Sequence, residues 1–143
     1  NKTEDRINIY KKLSEYKQVD GYGSAFNLPF SGGELIKYKI LENYRFSICF
    51  ENSYYRGYFT EKLLHAKTAG TIPVYKAGSG LEADFNPNSY IDMEKCGIQH
   101  IIDIDNSPEK YNNMLNEPLF NYNIEDRLDN IKNQIYDTIR ICI

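Results

Sequence analysis

A chain of 143 residues has room for one domain with a real core and too little for two. A formal charge of -3, with 26% charged residues, lacks the basic surplus that non-specific nucleic-acid binding needs. No apolar run approaches the roughly 18 residues of a membrane span, and the start has no signal-peptide pattern. The first residue is Asn1 rather than Met, so we expect a fragment or a trimmed chain whose missing start could carry either one. Cys49, Cys96 and Cys142 are far apart and make no metal spacing; an odd count with Cys49 in an apolar run points mildly to a reducing compartment.

In chain order, residues 4–17 predict a first helix, with Thr3 as N-cap and Ile9, Leu13 and Tyr16 at i, i+4 and i+7. Arg6 falls in its first turn. By position alone it is an exposed arginine. Lys17 to Asp20 reads as a short strand ended by Gly21-Tyr22-Gly23, where two glycines permit a tight turn or a close backbone approach. Asn27-Leu28-Pro29-Phe30-Ser31-Gly32-Gly33 is loop chemistry, and Glu34 to Tyr44 reads as either a short helix or an extended lead-in.

The central stretch is the most legible. Phe46-Ser47-Ile48-Cys49-Phe50 is aromatic and β-branched, as a buried strand requires. A tyrosine-rich polar loop follows, then Thr60 to Ala69 with helix-forming composition, stopped at Gly70. Thr71 to Tyr75 reads as a second strand. Strand, helix and strand in so short a span describe a βαβ crossover and favour a parallel sheet. Ligands of such sheets bind beyond the carboxyl ends of the strands, where Glu51 to Lys62 falls.

Further on, Ala77-Gly78-Ser79-Gly80 is a turn, and Ser89 to Asp92 and Ile98 to Ile104 read as short strands. Ser107-Pro108-Glu109 starts a helix with an N-cap, a proline at its first position and an acid in its first turn. Asn123 begins a one-sided amphipathic helix in which Ile124, Leu128, Ile131, Ile135 and Ile139 share a face. That face must dock on something, and the domain itself is the expected partner.

Arg6, Arg56 and Lys62 are cations able to neutralise a phosphate or diphosphate, arginine as a planar fork and lysine as a point charge. With Thr60 as N-cap, Glu61 and Lys62 occupy the first turn of the helix, whose free N–H groups suit a diphosphate. A start near Gly57 would instead put Tyr58, Glu61, Lys62 and His65 on one face. By spacing alone Glu61 reads first as the acid that helix first turns prefer; the other account is a role beside a sugar, where a carboxylate supports developing positive charge. His65 and His100 have no partners at metal-ligand spacing. Asp103-Ile104-Asp105 has the letters of a DxD pair but precedes a helix cap, which explains it better. Lacking a convincing metal motif, the chain is expected to work without one.

The run FENSYYRGYFTEK followed by AGTIPVY resembles the signature of the α-1,3/α-1,4-fucosyltransferases of glycosyltransferase family 10. That pattern is roughly F-E-N-[ST], then Y-[VF]-T-E-K, a helix and a strand of the form [TV]-[IV]-P-[VI]. The similarity runs on through Asp84 to Ile91 and back to Arg6 and Leu13 to Gly23. It implies an α/β fold, a Rossmann-like parallel sheet flanked by helices, as in the C-terminal half of a GT-B glycosyltransferase. It implies one GDP-fucose-binding domain over residues 1–143, with the acceptor domain and the general base in an N-terminal domain absent from this chain. Lys62 and Arg6 would then contact the diphosphate of GDP-fucose, Asn52 and Tyr58 would hold the nucleotide-phosphate part, and Glu61 would lie against the fucose as the catalytic carboxylate. The implied activity is inverting transfer of fucose to an N-acetylglucosamine or glucose unit of a glycan, with no cofactor or metal required. The expected place is the cytoplasm or the periphery of the inner membrane in a bacterium, or the Golgi lumen in a eukaryote. Arg56 falls in the variable part of the pattern and has no assigned role. Val74 to Gly78 departs slightly from it, since a glycine usually comes sooner after the strand.

Overall fold

The computed structural model describes residues 2–23, 25, 26 and 28–141. Cys142 and Asn27 therefore lie outside the described residues. The elements run α1 (Lys2–Ser14), α2 (Glu34–Leu41), β1 (Phe46–Ile48), α3 (Glu61–Thr68), β2 (Ile72–Tyr75), β3 (Ile91–Asp92), α4 (Ile98–Asp105), α5 (Pro108–Asn116) and α6 (Ile124–Ile141).

The three strands form one parallel sheet in the order β1-β2-β3, with Phe46 opposite Ile72, Ile48 opposite Val74, and Val74 opposite Ile91. The expected β1-α3-β2 crossover is present. All four residues of β2 are buried, as a central parallel strand covered on both faces should be. Its alternation sorts the core. Ile72 and Val74 join Ile9 and Leu13 of α1 and Ile101 and Ile104 of α4 on one face. Tyr75 meets Leu63 of α3, Leu81 and Tyr90 on the other.

Helix α3 ends as its sequence demands. Gly70 takes φ 75°. Its N–H donates to the Lys67 carbonyl at 3.0 Å, and the Thr71 N–H to the Ala66 carbonyl at 3.2 Å. This is a Schellman motif, which only glycine enters without strain. The Lys67 ammonium donates to the Leu115 carbonyl at 2.8 Å and the Met114 carbonyl at 3.0 Å, tying α3 to the last turn of α5.

Five expectations need correcting. Ile98 to Ile104 is not a strand but helix α4, with Ile101 and Ile104 buried one turn apart. Its isoleucines favour strands, but their spacing fits a helical face and the core takes that face. Asp105 accordingly ends this helix without capping another, and pairs with Lys17 at 3.0 Å and Arg45 at 2.9 Å. Lys17 to Asp20 forms no strand: Asp20 accepts hydrogen bonds from the Gln18 and Tyr44 side chains, which hold the segment as a loop. Thr3 lies inside α1 and does not precede it. Finally, the stripe of α6 is not covered: Ile124, Leu128, Ile131, Ile135 and Ile139 stay between 42% and 52% exposed. Among the described residues, no helix is long and apolar enough to cross a membrane.

Candidate functional site

Parallel pairing continues past the ends of β1 and β2. The Cys49 N–H donates to the Val74 carbonyl at 3.0 Å, and the Glu51 N–H to the Lys76 carbonyl at 2.9 Å. Phe50-Glu51-Asn52 thus sits where the strands run out, and its side chains still alternate. Phe50 packs into the core beside α1, Glu51 points at α3, and Asn52 turns back towards α1.

On the α1 side, Arg6 donates to the Phe50 carbonyl at 2.6 Å and to Asn52 Oδ1 at 2.7 Å. Two residues singled out from the sequence are therefore in direct contact across 46 positions. On the α3 side, Glu51 is completely buried. Its Oε1 accepts from Tyr75 Oη at 2.6 Å, Thr60 Oγ1 at 2.8 Å and the Thr60 N–H at 2.9 Å. Its Oε2 accepts from Lys62 Nζ at 3.1 Å. Burial alone would raise the carboxyl, but the hydrogen bonds from Tyr75, Thr60 and Lys62 outweigh it and hold Glu51 below its ordinary value. The same burial, with Glu51 beside it, pushes the Tyr75 hydroxyl up.

Thr60 occupies the N-cap position of α3, so the helix does not start near Gly57 and the wider shared face does not form. Its hydroxyl makes no capping bond to the helix, because it is engaged with Glu51 and accepts from Lys62 at 2.9 Å. Glu61 stands half-exposed in the first turn, with Oε1 3.8 Å from Lys62 Nζ. Its carboxyl is held low by its own backbone N–H, with Lys62 adding to the effect. Tyr58 is 38% exposed on the loop that leads into α3, its N–H donating to the Tyr55 carbonyl at 3.1 Å.

That loop rests on the turn after β2. The Gly57 N–H donates to the Ser79 carbonyl at 3.0 Å. A Cβ on Gly78 would lie 2.2 Å from the Tyr55 carbonyl oxygen, so this close approach admits glycine alone. His65 is buried against Tyr38, with its Nδ1 3.2 Å from Lys37 Nζ, and His100 is exposed, as structural and surface roles require. Among the described residues, no three His, Cys, Asp or Glu side chains are grouped to hold a metal ion.

The structure thus brings Arg6 to Asn52 and Lys62 to Glu61, and leaves Tyr58 on the adjoining loop. Sequence reasoning missed Glu51 and Tyr75. The available signal was alternation: counted on from Ile48 and Phe50, Glu51 falls on the α3 face, and a charge there needs partners. It also missed Lys76, which donates to Asp5 at 2.9 Å and lies 5.1 Å from the centre of the Tyr54 ring, while Tyr54 Oη donates to the same Asp5 at 3.2 Å. The Lys76 hydrogen bond holds the Asp5 carboxyl low. An open groove of about 870 Å³ between α1 and α4, lined by Asp5, Ile9, Phe50, Lys76, Met93 and Ile98, adjoins this trio.

Residues 1–137 match the family described as glycosyltransferase family 10 (fucosyltransferase), C-terminal part. The chain is 37% identical over 87 residues to an alpha-(1,3)-fucosyltransferase of Helicobacter pylori, a match covering 59% of this chain and 18% of that protein. It is 29% identical over 131 residues to a putative fucosyltransferase of Acanthamoeba polyphaga mimivirus, covering 80% of this chain and 22% of that protein. A crystal structure of an alpha1,3-fucosyltransferase with GDP-fucose superposes with a TM-score of 0.74 at 28% identity, covering 85% of this chain and 37% of that one. The same kind of enzyme with GDP gives 0.72 at 30% identity, covering 80% and 35%. The chain therefore spans less than a quarter of the length of these two protein relatives.

Proposed function

The chain belongs to the glycosyltransferase family 10 fucosyltransferases, and from that premise we propose that it is the GDP-fucose-binding, GT-B C-terminal-type domain of an inverting enzyme that moves fucose to a hydroxyl of a glycan. One observation carries the reading. The Phe50-Glu51-Asn52 segment gathers Arg6 from one face of the sheet and Lys62 from the other at the ends of the strands. That is where a parallel sheet receives its ligand.

In this reading Arg6 and Lys62 take the diphosphate, Asn52 and Tyr58 the nucleotide-phosphate part, and Glu61 the fucose. During transfer the acceptor oxygen attacks the anomeric carbon as its bond to the β-phosphate oxygen breaks, and GDP leaves with the electron pair. Positive charge then develops on the sugar ring, and the Glu61 carboxylate supports it. The proton of the acceptor hydroxyl goes to a general base, which we assign, with the acceptor site, to a separate N-terminal domain. The acceptor unit is proposed to be N-acetylglucosamine or glucose. Arg6 and Lys62 supply positive charge to the leaving diphosphate, which supports a metal-independent reaction. The odd count of three cysteines supports a reducing place, the cytoplasm or the inner-membrane periphery of a bacterium, and among the described residues Cys49 and Cys96 form no disulfide.

Calorimetric titration with GDP, GDP-fucose, GDP-mannose and UDP tests this. GDP and GDP-fucose are expected to bind and UDP not, and Lys62→Ala to weaken GDP by about tenfold or more, the worth of a hydrogen bond to a charged group. Equal affinity for UDP overturns the donor assignment. The uncovered stripe of α6 favours a second reading, a binding module that keeps the fold without the chemistry. It predicts no nucleotide affinity and a mass that rises with concentration in light scattering.

A further inference from the structure

We propose that Glu51 is a positioning residue for the donor site, acting through Lys62. The inference rests on the donor-domain reading above and deepens it. A fully buried carboxylate is costly unless each oxygen is satisfied, and here both are. Tyr75 and the Thr60 N–H fix Oε1 from the sheet and from the start of α3, which leaves Oε2 facing Lys62 Nζ at 3.1 Å. The ammonium has a second acceptor, Thr60 Oγ1 at 2.9 Å. Two acceptors use two of its three N–H bonds and leave one for an incoming anion. The side chain remains 19% exposed, so the charge is anchored from behind and still reachable from solvent.

The arrangement also engages the Thr60 hydroxyl. A threonine at an N-cap ordinarily accepts from the first turn of its helix. Here it donates to Glu51 and accepts from Lys62, and no side-chain cap closes α3. Glu51 therefore fixes the cation and keeps the hydroxyl from covering the first-turn N–H groups beside it.

Simple charge counting predicts the opposite consequence. A negative group next to a diphosphate site should oppose binding, so neutralising it should tighten GDP. Positioning predicts weaker binding. Glu51→Gln separates the two, because the amide keeps the shape and the Oε1 acceptor but turns an NH₂ donor towards the Lys62 ammonium.

The experiment is a double-mutant cycle of GDP titrations on the unsubstituted chain, Glu51→Gln, Lys62→Ala and the pair, each checked for native circular dichroism and melting. Glu51→Gln is expected to weaken GDP about tenfold beside Lys62 and less than about twofold in the Lys62→Ala background, the mark of action through that residue. Unchanged or tighter GDP binding by Glu51→Gln overturns the inference, and so does an equal loss in both backgrounds, which would mark a structural role. If the unsubstituted chain binds no GDP, the donor-site reading itself fails and takes the inference with it. Binding that is intact in both the unsubstituted chain and Glu51→Gln fails the inference alone. Should Glu51→Gln not fold, ¹⁵N resonances of the unsubstituted chain decide. The Lys62 ammonium is expected to exchange slowly and to shift when GDP is added; a freely exchanging ammonium overturns the inference.

Discussion

The surroundings of Glu51 and the outer face of α6 are mirror images in composition. Around Glu51 a charge is sealed in the interior with every oxygen satisfied. Along α6 an apolar stripe of four isoleucines and a leucine is left at the surface, and residues 123–140 are exposed throughout. Both reverse the usual placement, and they teach different things. A buried charge is tolerable only where its partners are built into the same chain, so its stability cost and its purpose are both local. An exposed apolar stripe has no partner among the described residues, so its substitution should register outside the fold or nowhere.

Stability measurements can break that contrast. Glu51→Ala removes the acceptor on which Tyr75, Thr60 and Lys62 converge and should cost about 3 kcal/mol by urea unfolding. The sign of its pH dependence follows from Glu51 lying below its ordinary value of 4.5 in the fold. Its stabilisation is full above that value and drains away as pH falls through the lower folded value. The gap between the unsubstituted chain and Glu51→Gln should accordingly narrow on acidification below about 4.5, and a gap that widens would mean Glu51 is not held ionised. Gly78→Ala is the intermediate case. Its Cβ meets backbone at Tyr55, so the loop must move, at about 2 kcal/mol and with weakened GDP binding. An unaltered melting temperature would show that loop to be looser than its close contacts indicate. Ile131→Ser on α6 should change the unfolding free energy by no more than about 0.5 kcal/mol. A loss several times larger would mean that the stripe is covered in solution.

The sequence yielded the β1-α3-β2 unit because its signals are local: a short apolar run, a helix-forming segment and a glycine that closes α3. The start of α5 was legible for the same reason, with the Ser107 side chain accepting from the Lys110 N–H at 3.3 Å as a cap should. Helix α4 was misread because isoleucine carries a strand preference while its spacing along residues 98–104 carries a helical one, and packing against α1 decided between them. At the site, the juxtaposition of Glu61 and Lys62 needed only the helix. Arg6 with Asn52 spans 46 positions and Glu51 with Tyr75 spans 24, and no local pattern encodes such pairs. By residue type Arg6 was one candidate cation among several, and only the family resemblance singled it out. Tyr75 was read simply as the end of a strand, since nothing around it shows that a tyrosine hydroxyl will meet a carboxylate.

The two ends of α3 also differ in how they are held. At the far end the Schellman closure and the Lys67 tie to α5 lock the last turn, while at the near end no side chain caps the first. The near end is not loose for that: the buried Glu51 holds the Thr60 N–H, the Thr60 hydroxyl and the Lys62 ammonium. Helix α3 is thus anchored at both ends, while the backbone donors of its first turn stay without a side-chain cap. An anion settling at the crevice would supply that cap to a helix already in place, so binding would not have to meet the cost of ordering it.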